Sequence, residues 1–392
     1  MKPNDRRSSL IAETFKQRPH LVFFALAALQ AVFIIPLTVF RVVSGPLSFV
    51  SLGSGWPLAT WHAHEMIFGF ALGVMGGYFA GKYSPRQAVF LAASWVLARV
   101  AVAGADATGV GIAPLAGLYP VLLFVFAGLP ILRAAKTLRN AAFGLILGAL
   151  AIVDIGLLVG SSMESIVSNL ALERLGLLLI VMMSFVMGGR ITAAVTSGAH
   201  QAMGRKLVNA AQIPLERAGV LLFIGLAILL SGGYPAGWIS LFCLGLAAIT
   251  GARLSRWQFW KLRNPSVLGL HAGFLWLLAG FTLIALQPAL PWFGLTDVLH
   301  TLAIGALGTF TLTVMTRTIL QKARRDISFP PIILFSLGAV NLAAVFRVAA
   351  FASGRSDVYL LLAAGAWTVA WVLFLVFLMT TARYLSEKSY SR

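Results

Sequence analysis

The stretch Trp61-His62-Ala63-His64-Glu65-Met66 places two imidazoles, a carboxylate and a thioether in six consecutive positions. On a regular helix a two-residue step turns about 200°. His62 and His64 therefore face nearly opposite sides and do not share one metal ion. They serve two sites, or one ligates while the other hydrogen-bonds. Met66 lies one turn beyond His62 on the same face, where a thioether suits copper(I). Glu65, three residues from His62, can orient that ring from behind. The competing reading is a tryptophan-histidine belt at a membrane interface. Four further histidines stand apart: His20, His200, His271 and His300.

The elements that position these groups read as transmembrane helices. Of 392 residues, 59% are hydrophobic and 11% are charged, against roughly 25% charged in a soluble domain. A chain with so little polar surface takes lipid as its solvent. The one cysteine, Cys243, excludes an internal disulfide framework and a four-cysteine metal site. A span takes about 20 apolar residues. Such runs lie near 21–43, 61–81, 87–104, 112–132, 141–160, 170–189, 218–232, 236–251, 265–287, 296–316, 330–352 and 358–382. The seventh and eighth are short, so they stand as separate spans, fuse or re-enter. The expected fold class is all-α: one polytopic transmembrane domain over 1–392, of about twelve helices.

The net charge of +18 would suggest nucleic acid in a soluble protein. Here its placement carries topology instead. With the N-terminus inside, most Lys and Arg fall in the connections on that side, from Lys2, Arg6, Arg7 and Lys16 to Arg317, Arg324, Arg325 and Arg392. Both termini are then cytoplasmic. The basic inner face attracts anionic lipid, and nucleic acid is not expected as a partner.

This topology assigns depths. At about 1.5 Å rise per residue, His62, His64 and His300 lie roughly 10 Å outward of mid-membrane. His271 lies roughly 5–8 Å inward and is not expected to share a metal with His300. It serves a second site or a hydrogen bond. His20 and His200, at the inner interface, read as solvated. Arg99 and Arg347 lie roughly 6–10 Å outward, where a buried guanidinium must meet an anion or else snorkel to the headgroups. Asp154, near mid-membrane, is a proton carrier or a neutral hydrogen-bonding acid. Thr296-Asp297 reads as a helix cap. Gly305 and Gly308 admit either a flat macrocycle or a neighbouring helix.

Several motifs, in order, resemble those of the NnrS family of bacterial membrane proteins. They are Trp61-His62-Ala63-His64-Glu65-Met66-Ile67-Phe68-Gly69, Gly188-Gly189-Arg190, Trp257-Gln258-Phe259-Trp260, Leu270-His271-Ala272-Gly273-Phe274-Leu275-Trp276, and Leu299-His300-Thr301-Leu302 running on to Val314-Met315-Thr316-Arg317. The resemblance covers nearly the whole chain. It implies a multi-pass protein of the bacterial inner membrane that binds haem (of the b type) and copper. It also implies a link to nitric oxide, in denitrification or in resistance to nitrosative stress. His62, His64, His271 and His300 are carried over as metal ligands. On this reading His300 and either His64 or His62 are axial to haem, with Arg99 and Arg347 on the propionates. The remaining histidine of the pair ligates copper with Met66 or acts in the distal pocket. Glu65 and Asp154 carry protons if nitric oxide is reduced. No motif names an electron donor. The chain departs from the family at Ile191-Thr192-Ala193, at Ile319-Leu320-Gln321-Lys322-Ala323-Arg324, which lacks a family histidine, and at Arg18-Pro19-His20-Leu21. Two other functions fit the same layout: a secondary transporter, and a sensor that binds nitric oxide without turnover.

Overall fold

A computed structural model describes residues 18–45, 56–104, 113–160, 169–232, 234–290, 292–323, 327–352 and 356–390. Lys2, Arg6, Arg7, Lys16, Arg324, Arg325, Arg355 and Arg392, which enter the charge argument, lie outside the described residues. No strand occurs among the described residues.

Among the described residues, eleven helices are long and apolar enough to cross a membrane. In chain order they are α1 Pro19–Ser44, α3 Pro85–Ala103, α4 Pro114–Ala134, α5 Leu138–Gly160, α6 Asn169–Ala202, α7 Ile213–Ser231, α8 Ala236–Lys261, α9 Pro265–Ala289, α10 Leu295–Lys322, α11 Pro331–Phe351 and α12 Ser356–Leu385. A further helical run, α2, carries the histidine pair: Leu58–His64, Glu65–Ala71 and Leu72–Tyr78 follow one another without a break. The chain is an all-α, multi-pass membrane protein.

Local chemistry sets the helix starts. Proline stands at the first turn of α1, α3 and α9, where its missing N–H costs nothing. Ser84 and Gln87 close a reciprocal capping box on α3. Asn264 accepts from the Ser266 N–H at 2.9 Å to cap α9. The seventh and eighth spans do not fuse. They are the separate helices α7 and α8, and α8 continues through Arg253 because that guanidinium is buried rather than looped out.

The polarity of the fold is inverted relative to a soluble protein. His64, Asp154 and Arg253 are 0% exposed, while Phe335 and Ile152 are 71% and 73% exposed. Such a distribution is stable only where hydrocarbon is the solvent.

Among the described residues, four stretches wind as π-helix: Glu65–Ala71, Phe124–Gly128, Ser184–Gly188 and Thr301–Gly308. Two of them follow directly on His64 and His300. A π turn widens the helix locally and re-aims its side chains, and such turns concentrate at functional sites.

The chain divides into two units, Met1–Gly176 with Leu375–Arg392, and Leu177–Phe374. In the first, α1 runs antiparallel to α2: Phe24 meets Gly77, Ala27 meets Gly73, and Thr38 meets His62. In the second, α9 runs antiparallel to α10: Gly269 meets Thr313, Gly273 meets Phe310, and Gly280 meets Leu302. That register sets His271 level with the Leu312 region and His300 level with the Thr282 region. The two rings are thus about 16 Å apart along the axis, which separates them as the depth argument expects.

Candidate functional site

In the first unit the functional side chains of α2 are held by α1, α3 and α5. Glu65 is 3% exposed. Its carboxylate accepts from Arg99 NH1 on α3 at 2.7 Å and from the Gln30 amide on α1. The Arg99 side chain reaches Glu65 across Gly69, where a Cβ would lie 2.8 Å from Arg99 NH1. Only a glycine there lets the guanidinium approach. Arg99 is 8% exposed, so it does not snorkel. Its Nε and NH2 groups are buried without a hydrogen-bond partner.

His64 is fully buried, with a carboxylate at each ring nitrogen. Nδ1 lies 3.3 Å from Glu65 Oε1, and Nε2 lies 2.8 Å from Asp154 Oδ1 on α5. The second contact is close but not aligned as a hydrogen bond, and neither Asp154 oxygen has a hydrogen-bond partner. The Trp56 and Phe68 rings close over the imidazole.

His62 points elsewhere, as the 200° step requires. Its Nδ1 lies 3.2 Å from Thr38 Oγ1. Thr38 already donates its hydroxyl proton to the Ile34 carbonyl at 2.7 Å. It can only accept from the ring, so the proton sits on Nδ1 and the lone pair on Nε2. Met66 packs against an apolar cluster containing Trp56, Trp61, Val102 and Leu158.

In the second unit the His300 Nδ1 lies 2.7 Å from the Thr296 carbonyl and 3.2 Å from Arg347 NH2 on α11, which is also 3.5 Å from Asp297 Oδ1. Arg347 NH1 is buried without a hydrogen-bond partner. Asp297 also caps α10, its Oδ2 accepting from the Gly294 N–H at 3.0 Å.

His271, 1% exposed, donates from Nδ1 to the Val267 carbonyl at 3.0 Å and sets Nε2 3.3 Å from Thr196 Oγ1. Stacking on Phe259 and an edge contact with Trp257 hold the ring. Gly305 and Gly308 serve helix packing, not a macrocycle. A Cβ on Gly305 would lie 2.4 Å from the Trp276 ring, and one on Gly308 would lie 2.8 Å from Trp367.

Two expectations change. His20 and His200 are not solvated but 3% and 2% exposed. His200 lies on the buried face of α6 with Thr192 and Thr196, and its Nε2 is 3.1 Å from the Trp257 carbonyl. The apolar span ends near Gly189, but the helix runs on because its next turns are amphipathic.

Sequence reasoning missed Arg253, which it placed in a connection. The side chain is buried, donates to the Phe185 carbonyl at 3.1 Å and lies over Phe185, Trp257 and Phe274. Three aromatic faces surround the guanidinium. Gln30 was also missed, a neutral amide in an apolar helix being the only signal.

A haem site is tested by these atoms. A buried N–H without an acceptor costs about 1–3 kcal/mol, so Arg99 and Arg347 each carry donor capacity that a carboxylate would satisfy. His62 has its Nδ1 anchored on Thr38 with the lone pair on Nε2, the arrangement of a metal-ligating histidine, and His300 has its Nδ1 held at the Thr296 carbonyl beside Arg347. The residues fit a haem. For copper, His62 and Met66 supply two donors. No group of three His, Cys, Asp or Glu placed to hold a metal ion occurs among the described residues.

No curated protein matches the chain. The family model described as NnrS protein matches residues 14–383, nearly the whole chain, and the chain belongs to the NnrS family.

Proposed function

We propose that this chain is a haem-binding protein of the bacterial inner membrane that binds nitric oxide and, given electrons, reduces it. The observation that carries the reading is the pairing, within one helical hairpin, of an anchored histidine with a buried arginine that keeps donor N–H groups to spare. In the second hairpin Arg347 lies against His300 itself, and in the first Arg99 is paired with Glu65, three residues beyond His62. Family membership supplies the link to nitric oxide.

When bound, haem iron supplies an open coordination position for nitric oxide. The chain's own groups do the rest. Nε2 of His62 and His300 would ligate, and the spare N–H groups of Arg99 and Arg347 would bind propionates. Asp154, His64 and Glu65 form a buried row of proton-exchanging groups, with His64 between the two carboxylates. That surrounding suits proton transfer better than ligation, since both ring nitrogens face acids. Copper, if taken up, would meet His62 and Met66.

The test is optical. The purified chain, expressed with ample haem, is expected to show a Soret band that shifts when nitric oxide is added to the reduced protein. Absence of the band would remove the reading. Consumption of nitric oxide under a supply of electrons marks a reductase, and binding without consumption marks a sensor.

A further inference from the structure

Gly69, Gly73 and Gly76 follow one another on α2 at steps of four and three, so they share one helical face. Each admits a donor from a neighbouring helix. A Cβ on Gly69 would lie 2.8 Å from Arg99 NH1, one on Gly73 would lie 3.2 Å from Trp95 Nε1, and one on Gly76 would lie 2.6 Å from the Tyr119 hydroxyl. Every donor passes over its glycine to an acceptor four residues earlier in the chain. Arg99 NH1 donates to the Glu65 carboxylate at 2.7 Å, Trp95 Nε1 to the Gly69 carbonyl at 2.9 Å, and the Tyr119 hydroxyl to the Leu72 carbonyl at 2.9 Å. Trp95 and Arg99 stand one turn apart on α3, and Tyr119 comes from α4. From the other side α1 closes on the same glycines, with Gln30 at Gly69, Ala27 at Gly73 and Phe23 at Gly76.

These bonds bracket a change in winding. Their acceptors are the first residue of the π-helical stretch Glu65–Ala71, a carbonyl within it, and the first residue after it. A helix is distorted where a side chain inserts into its N–H to carbonyl ladder, and a π turn is one form the distortion takes. A carbonyl oxygen has two lone pairs, so an indole or a phenol can bind beside a backbone N–H. Trp95 and Tyr119 are both buried, so water does not compete for their donors. The winding matters because of what it carries. Glu65 opens the stretch and His64 directly precedes it, and their side chains meet Arg99 and Asp154.

We infer that Trp95 and Tyr119 are positioning residues. Their hydrogen bonds hold the wide turns of α2, and those turns aim Glu65 at Arg99 and His64 at Asp154. The inference deepens the function proposed above, and rests on it for the use to which the buried row is put. The geometry of the row itself is open to measurement without haem or nitric oxide.

Trp95→Phe and Tyr119→Phe each remove the donor and keep an aromatic ring. Hydrogen–deuterium exchange of the full-length protein in detergent, read by mass spectrometry, should show the amides between Glu65 and Gly76 exchanging about tenfold faster in each variant, the share of one hydrogen bond. Peptides from α5 should be unchanged. Ser94→Ala is the control, since Ser94 is buried on the same helix as Trp95 but bonds the Leu91 carbonyl of its own helix. Unaltered exchange in α2, or an equal rise in Ser94→Ala, would overturn the inference. The second measurement is the coupling between Arg99 and Glu65, taken from melting temperatures in a double-mutant cycle. In the Trp95→Phe background that coupling should fall by about half or more, and an unchanged coupling would overturn the positioning role. If the unaltered protein takes up no haem, the reading above is removed, and exchange and coupling still decide the part played by Trp95 and Tyr119.

Discussion

At the scale of single residues, the chemistry turns on how buried charges are balanced. The Glu65 side chain is in contact with Arg99, Gln30 and His64. Arg99→Met strands that acid in the protein interior, and breaking such a pair costs about 3–5 kcal/mol. The double variant Arg99→Met/Glu65→Leu should recover most of the loss. Thermal unfolding in detergent, arranged as a double-mutant cycle, measures the coupling. Asp154 plays a different part, because neither of its oxygens has a hydrogen-bond partner and its neighbour is His64 Nε2. Asp154→Asn should leave the Soret band in place and lower nitric oxide consumption by about 10²-fold, the order expected for loss of a proton-transfer group. A normal rate in that variant would exclude Asp154 from the proton row.

At the scale of elements, the helices are positioned by close approach at small residues rather than by hydrophobic force, which hydrocarbon does not supply between spans. Gly305 on α10 takes the Trp276 ring of α9, and that ring is locked by a 2.6 Å hydrogen bond from Trp276 Nε1 to Asn341 Oδ1 on α11. Gly305→Ala forces a methyl into a ring that cannot retreat, which should cost about 1–3 kcal/mol. Gly338 on α11 is the control, since a Cβ there meets nothing within 4 Å. Gly338→Ala should leave the melting temperature unchanged or raise it slightly. If both alanines behave alike, packing at Gly305 does not set the α9 and α10 register. These contacts also explain why Gly305 was ambiguous in sequence. A small residue advertises close approach, but its partner, here Trp276, comes from another helix.

At the scale of the whole molecule, solvent decides the arrangement. Charged side chains such as Asp154 and Arg253 lie inside their units, and large apolar ones such as Ile152 and Phe335 lie outside, as lipid demands. The distribution of Lys and Arg predicts that both termini share the cytoplasmic side. Cysteines introduced as Lys2→Cys and Ser391→Cys should therefore resist an impermeant maleimide in intact cells and react after permeabilisation. Cys243, fully buried, gives no background. Labelling of either terminus in intact cells would reverse the topology.

The all-α, multi-pass class and the separation of His271 from His300 were legible in the chain alone, because lipid imposes a length and polarity rule that each span obeys locally. The opposed directions of His62 and His64 were legible for the same kind of reason, since helical rotation is a local property. The tertiary structure alone decided what each of those side chains faces. Arg99 reaches Glu65 across Gly69, Asp154 comes to His64 from a helix ninety residues along the chain, and Arg253 leaves its supposed loop for an aromatic cage. Those choices depend on interhelical register, which hydropathy does not encode. They determine which histidine is held between acids.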